Sequence, residues 1–85
     1  MTLETLEQGK VLYQEILELD KKILEYDAMI AVAEGDGVFF VEVSKNGKRR
    51  NIEENDSTDF VAYMNTRKAA YVSLKAEKET DFENL

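Results

Sequence analysis

The chain has 85 residues and contains no cysteine, histidine, tryptophan or proline. Its 11 lysines and arginines are outnumbered by 18 aspartates and glutamates, which gives a formal net charge of −7. Without histidine or cysteine, the chain has no Ser–His pair, no cysteine nucleophile and none of the usual ligands of zinc or iron–sulfur sites. The length predicts a single domain spanning residues 1–85, and we expect a non-enzymatic protein without a cofactor or a metal site.

The distribution of charge and hydropathy limits the partners of the chain. No apolar stretch approaches the roughly 18 residues that span a bilayer, and the acidic N-terminus lacks the basic region of a signal peptide. We therefore expect a soluble, cytoplasmic protein. The sequence pI of about 4.5 argues against general binding to nucleic acids or anionic membranes.

Residues Leu3 to Ala33 predict a first long helix, capped by Thr2 and ended by a left-handed Gly35. Apolar residues recur along it at alternating steps of four and three, as in a coiled coil. This seam comprises Leu12, Ile16, Leu19, Ile23, Tyr26, Ile30 and Ala33. A second stripe beside it comprises Leu3, Leu6, Tyr13, Leu17, Leu24 and Ala31.

The second stripe predicts self-association. The rest of the chain has too few apolar residues to cover both stripes of so long a helix. We expect one stripe to pack within the chain and the other to pack against another copy. The alternative is an ordinary helical hairpin in which the helix packs only on its own chain.

A β-hairpin follows, with strands over Val38–Lys45 and Lys48–Glu53. Asn46-Gly47 between them favours a two-residue type I′ turn, which sets Lys45 opposite Lys48 and Val41 opposite Ile52. The expected core face carries Phe39, Val41, Val43 and Ile52. Phe40 lies on the other face and is a candidate contact residue. The hairpin could pack on the helices, pair by its edge with a second hairpin, or do both.

A second helix is predicted from about Ser57 to about residue 79, with Asp56 as its N-cap. Its apolar positions are Phe60, Val61, Met64, Ala70, Tyr71 and Leu74. Arg67 and Lys68 interrupt this stripe, while Phe82 and Leu85 could return to it. The predicted fold class is α+β, an α-β-β-α chain of two antiparallel helices with the hairpin at one end.

A cluster of four basic residues is the most informative feature for function. Lys45, Lys48, Arg49 and Arg50 place four positive charges within six residues, and the remainder of the chain sums to −11. The cluster favours a site for a phosphate, a nucleotide or an acidic surface of a partner, because arginine offers a planar fork to such groups. The alternative is that these residues protect an edge hairpin from aggregation and neutralise nearby acids.

Two further groups of side chains could carry binding. Tyr63, Arg67 and Tyr71 recur four residues apart on the second helix and could stack on a nucleobase, or could simply pack as a column. An acidic string is formed by Glu53, Glu54, Asp56 and Asp59. It lacks the spacing and the central glycine of a calcium-binding EF-hand loop, so helix capping explains it better.

The heptads from Leu12 to Ala33 and the hairpin from Val38 to Ile52 together resemble small accessory proteins of bacteriophages and mobile elements. The resemblance implies a binding role, because similar phage proteins include inhibitors of host defence that sequester nucleotide signals in oligomeric assemblies. We expect a homo-oligomer that captures a small anionic, nucleotide-like ligand between subunits. The basic cluster would hold phosphates, with Tyr63, Arg67 or Tyr71 near the base. The alternatives are an inhibitor or adaptor that docks on a host protein through its helical face, and a structural component whose only partner is itself.

Overall fold

Two long helices and a two-stranded hairpin make up the fold, which a computed structural model describes for residues 2–54 and 56–85. Helix α1 spans Leu3–Glu34, strand β1 Phe39–Lys45, strand β2 Lys48–Glu54 and helix α2 Thr58–Glu83. The predicted α-β-β-α architecture of the α+β class is confirmed. The helices pack antiparallel in a flat layer, and the Cα atoms extend over 56 × 28 × 15 Å.

The sequence predicted one end of α1 correctly and the other incorrectly. Thr2 caps the N-terminus as predicted, because its hydroxyl accepts a hydrogen bond from the Thr5 amide at 3.1 Å. At the C-terminus, the prediction of a left-handed Gly35 is wrong. Gly35 has φ −71° and leaves the helix in extended conformation while its amide still donates to the Val32 carbonyl. Gly37, with φ +114°, makes the reversal two residues later.

The heptad seam of α1 is the stripe that packs on α2. Half-buried or buried seam positions run without a break along the helix: Leu12, Ile16, Leu19, Ile23, Tyr26, Ile30 and Ala33. On α2 the half-buried or buried positions from Val61 onward are Val61, Met64, Lys68, Tyr71, Lys75 and Lys78. Lys68 therefore belongs to the seam and does not interrupt it, whereas Ala70 and Leu74 are exposed. The expected apolar stripe of α2 is thus partly wrong.

Three ion pairs explain why lysines can occupy the seam of α2. Lys68 pairs with Asp27, while the ammonium groups of Lys75 and Lys78 lie 2.7 Å from Asp20 and Glu15 of α1. Each aliphatic stem can cover apolar surface between the helices while its charged end reaches a carboxylate at the rim. The pKa values of Lys75 and Lys78 are raised, in each case chiefly by the hydrogen bond to the carboxylate.

The last turn of α2 packs on the beginning of α1. Helix α2 continues to Glu83, about one turn beyond the predicted end near residue 79. Gly9 faces the side chains of this turn: a Cβ placed there would lie 3.4 Å from Leu85 Cδ1 and 3.7 Å from Phe82 Cε2. Phe82 and Leu85 thus lie beside the start of the seam with both side chains still exposed, and their proximity to Gly9 accounts for the extra turn.

The hairpin has the predicted turn and register. Asn46 and Gly47 have φ +53° and +76°, as a type I′ turn requires, and Lys45 pairs with Lys48. At the base of the hairpin, the rings of Phe39 and Phe60 lie 5.1 Å apart between centroids. The expected core face is covered only here. Phe39 and Val41 are half-buried, and two further members of that face are exposed: Val43 and Ile52.

The junction between hairpin and α2 ties the two helices together. Ser57 is the backbone N-cap of α2, but the capping oxygen belongs to Asp56, the residue predicted for that role. Asp56 Oδ1 accepts hydrogen bonds from the amide and hydroxyl of Thr58, which lower the pKa of the carboxyl. The Ser57 hydroxyl instead donates to the Ala33 carbonyl at 2.7 Å, fixing the start of α2 against the end of α1.

Candidate anion-binding site

The register of the hairpin divides the four basic residues between its two faces. Because side chains alternate along a strand, Lys45, Lys48 and Arg50 share the face of Phe39 and Val41. We call these three residues the basic triad. Arg49 points from the opposite face, where its Nε lies 2.8 Å from the Glu42 carboxylate. The structure therefore separates one neutralised arginine from three cations.

The basic triad places like charges side by side. Lys45 and Lys48 are direct cross-strand partners, and Arg50 follows on the same face opposite Val43. Cβ atoms of such partners lie about 4.5–5.5 Å apart, and like charges at this spacing destabilise the pair. Over residues 2–54 and 56–85, no carboxylate forms an ion pair with a member of the triad. Arg50 instead donates to the Arg49 carbonyl at 2.9 Å. An anion at the tip would relieve this repulsion.

The candidate tyrosine–arginine column on α2 is largely engaged with α1. Arg67 donates to the Tyr71 hydroxyl at 3.4 Å, and its guanidinium carbon lies 5.6 Å from the centre of the Tyr71 ring. Tyr71 in turn packs against Tyr26 with a centroid distance of 5.4 Å. The pKa of Arg67 is raised, first by a hydrogen bond to Tyr26 and then by Tyr71, Tyr26 and Tyr63 acting through their charge. Tyr63 is exposed.

Within one chain, the predicted ligand residues form two groups and not one pocket. The basic triad lies at the turn of the hairpin, whereas the column begins beyond Phe60, on which the base of the hairpin rests. No hydrogen bond or ion pair connects the groups in the described part of the chain. Joint binding of one ligand by Lys45, Lys48, Arg49, Arg50, Tyr63, Arg67 and Tyr71 stays a prediction.

An apolar cavity at the base of the hairpin was not predicted. It has a volume of about 510 Å³, and its large lining side chains are Met29, Val32, Val38, Phe39, Phe40 and Phe60. The exposed Phe40, predicted as a contact residue, closes one side of it. The signal for Met29 and Val32 was present as a pair three residues apart, but it lay outside both apolar stripes of α1.

The described residues also bear on metal binding and on membrane insertion. Across residues 2–54 and 56–85, no three carboxylates converge in a way that could hold a metal ion. Neither described helix is apolar over a length that would cross a bilayer.

Comparison with known proteins identifies no relative. No family model, curated protein or solved structure matches the chain. The geometry of its own residues is therefore what indicates its function.

Proposed function

We propose that this protein is a non-enzymatic, self-associating binding protein that captures a small anionic, phosphate-bearing ligand at its hairpin tip. The resemblance to phage accessory proteins extends the proposal to sequestration of a nucleotide signal in the cytoplasm of a host cell. The column of Tyr63, Arg67 and Tyr71 would then contact the base, provided that a neighbouring subunit brings it to the ligand.

One observation carries the proposal: Lys45 and Lys48 lie opposite each other with Arg50 on the same face, and none of the three is paired to a carboxylate among the described residues. In a chain of net charge −7, such a group is the place where an anion would gain most. A bound phosphate would replace repulsion within the basic triad by charge-assisted hydrogen bonds.

The register also provides a sharp test. Lys48→Glu places a carboxylate opposite Lys45 and converts a repulsive pair into an attractive one, so the hairpin should not lose stability. Binding of pyrophosphate and ATP, measured by isothermal titration calorimetry at low salt, should weaken by about tenfold or more. The melting temperature should stay the same or rise.

Lys21→Glu is the matched control, because it makes the same charge change at an exposed position of α1 far from the hairpin turn. It should leave both affinities within about twofold of the parent, apart from general screening effects. Equal binding by the parent and Lys48→Glu would contradict the proposal. It would assign the basic triad to protection of the hairpin edge, the alternative derived from the sequence.

A second candidate function is favoured by the exposure of the second α1 stripe, including Leu3, Leu17 and Leu24. In this version the chain is an inhibitor or adaptor that docks on a different protein through its helical face. It predicts that the purified chain is a monomer by native mass spectrometry, with this stripe open for its target. The self-associating protein predicts a multiple of 9.8 kDa.

A further inference from the structure

The helical layer has two faces of different character. One face, here called the leucine face, carries Leu3, Leu6, Tyr13, Leu17 and Leu24 of α1 together with Ala62, Ala69, Val72 and Ala76 of α2. The two helices contribute to the same side, as the groove lined by Leu6, Tyr13, Phe82 and Leu85 shows at one end. We call the other side, where Glu15 pairs with Lys78 beside Glu18 and Leu74, the acidic face.

We propose that the leucine face binds the leucine face of a second copy of this chain, with a two-fold axis parallel to the helices. In this arrangement α1 of each copy lies over α2 of its partner, and the dimer is a four-helix bundle. The inference rests on the self-association in the proposed function and specifies which surface and which orientation produce it.

The accessible surface of the chain is too large for a self-sufficient monomer. It amounts to 6971 Å², whereas a folded monomer of 9.8 kDa exposes about 5,200 Å². The excess of about 1,800 Å² falls within the area that each subunit buries in a stable obligate dimer. In the described ranges only Ile30, Ala33 and Met64 are buried, so most of the apolar surface is still open. A second copy supplies the missing half of the core.

Charge favours the leucine face by a small margin. In the middle of the leucine face, Asp20 and Asp27 are each neutralised by a lysine of α2. The acidic face carries five further acids and only two further bases. These are Glu4, Glu18, Glu25, Glu77 and Asp81 against Lys22 and Arg67. The further charges of the leucine face are Glu34, Glu79 and Glu83 against Lys10, and they lie toward its ends. Two identical copies of net charge −7 repel each other, so the ion-paired middle of the leucine face is the less costly place for them to meet.

Side-chain size selects the orientation. The column of Ala62, Ala69 and Ala76 repeats every seven residues and leaves a shallow channel on α2, while α1 presents leucines. Leucines packed over alanines interdigitate. A two-fold axis perpendicular to the helices within the layer would instead stack α1 on α1 and leave the alanines of the two copies facing each other. A two-fold axis parallel to the helices places the leucines of α1 over the alanines of α2 and introduces no shift between the copies along the helix axes.

The ion pairs define which residues would then meet. Leu24 lies between Asp20 and Asp27 of α1, which pair with Lys75 and Lys68 of α2. Leu24 of one copy therefore lies level with the stretch of α2 between Ala69 and Ala76 in the other copy, next to Val72. This arrangement also places both hairpins at the same end of the dimer.

The first test is the mass of the purified full-length chain by native mass spectrometry and by light scattering across a dilution series. The parent should be a dimer. Leu24→Lys should raise its dissociation constant by at least about 30-fold, because it places a charge in the centre of the interface. Val32→Lys makes a similar change at an exposed position lining the cavity on the other side of the layer and should leave the constant within about threefold.

Neighbouring alanines provide a stricter control. Ala69→Leu fills the channel and should weaken the dimer by about tenfold, whereas Ala70→Leu adds the same atoms on the acidic face and should not. Both alanines are exposed in the single chain, so folding should tolerate either change. Equal effects of the two variants, or none from Leu24→Lys on an existing dimer, would overturn the proposed interface and leave self-association intact.

The absence of cysteine allows the orientation to be read by cross-linking. Leu24→Cys and Val72→Cys chains, mixed under dissociating conditions and re-associated, should form a disulfide between unlike chains on oxidation. Leu24→Cys alone should not, because the two α1 helices lie diagonally across the bundle. A disulfide between two Leu24→Cys chains would overturn the orientation. A strictly monomeric parent would refute the interface together with the self-association, whatever the result of the pyrophosphate titration.

Discussion

The helical pair and the β-hairpin are stabilised in different ways. The helices contact each other along a continuous seam from Gly9 near one end to Ala33 at the other, with three ion pairs across it. The hairpin has its own ladder of backbone hydrogen bonds, but its principal side-chain contact with the helices is the pair of Phe39 and Phe60. An isolated two-stranded hairpin is at best marginally stable in water.

This difference separates the part of the molecule that provides stability from the part that presents charge. The helical layer provides the cooperative structure. The hairpin carries the basic triad at its tip and contacts the helices at its base. Regions with few buried apolar contacts open at lower free energy than the core. The hairpin can therefore open without disturbing the helices, and changes in the two regions should have separable effects.

The largest expected effect comes from the buried centre of the helical pair. Met64 is 5% exposed, so Met64→Ala should reduce the free energy of unfolding by about 2–4 kcal/mol through lost burial and a cavity. Met29→Ala is the matched control, since Met29 is 50% exposed and should cost far less. Urea denaturation followed by circular dichroism measures both. Equal losses would show that the seam is not the core of the structure.

A smaller and more local effect is expected at the base of the hairpin. Phe39→Ala removes the ring that packs on Phe60 and should cost about 1–2 kcal/mol, because Phe39 is only half-buried. Hydrogen exchange should accelerate at the amides of β1 and β2 and stay unchanged in the middle of α1 and α2. Phe40→Ala, on the other face of the strand, is the control and should leave exchange in the hairpin close to that of the parent. A uniform acceleration in Phe39→Ala would mean that hairpin and helices unfold as one unit.

Local signals in the sequence predicted the hairpin and α1 well. Asn46-Gly47 fixed the turn and hence every cross-strand pair, because a two-residue turn permits one register. The heptads of α1 identified its seam because each apolar residue repeats at coiled-coil spacing. Both features depend on residues close to one another in the chain.

Features that depend on a distant partner were missed. In the sequence, Lys68 interrupts the apolar stripe of α2, and only its ion pair with Asp27 explains its place in the seam. The extra turn of α2 depends on Gly9, which lies near the other end of the chain. The division of the basic cluster between two faces follows from the register, but the neutralisation of Arg49 depends on Glu42 across the hairpin. Amphipathic patterns report apolar periodicity and cannot recognise a lysine whose charge is paired.

The smallest expected effect is on the pH dependence of stability. It shows whether the lysines of the seam stabilise the fold through their charge. The hydrogen bond to Asp20 raises the pKa of Lys75 above its usual value of 10.5. A raised pKa in the folded state means that the contribution is fully present below the pKa of the unfolded chain and is lost as the pH rises through the folded value. The melting temperature of the parent relative to Lys75→Met should therefore decline as the pH rises above 10.5. Lys21→Met makes the same change at an exposed position of α1, and its difference from the parent should vary less with pH. If the two differences follow the same pH profile, Lys75 acts in the seam through its aliphatic stem and not through its ion pair with Asp20.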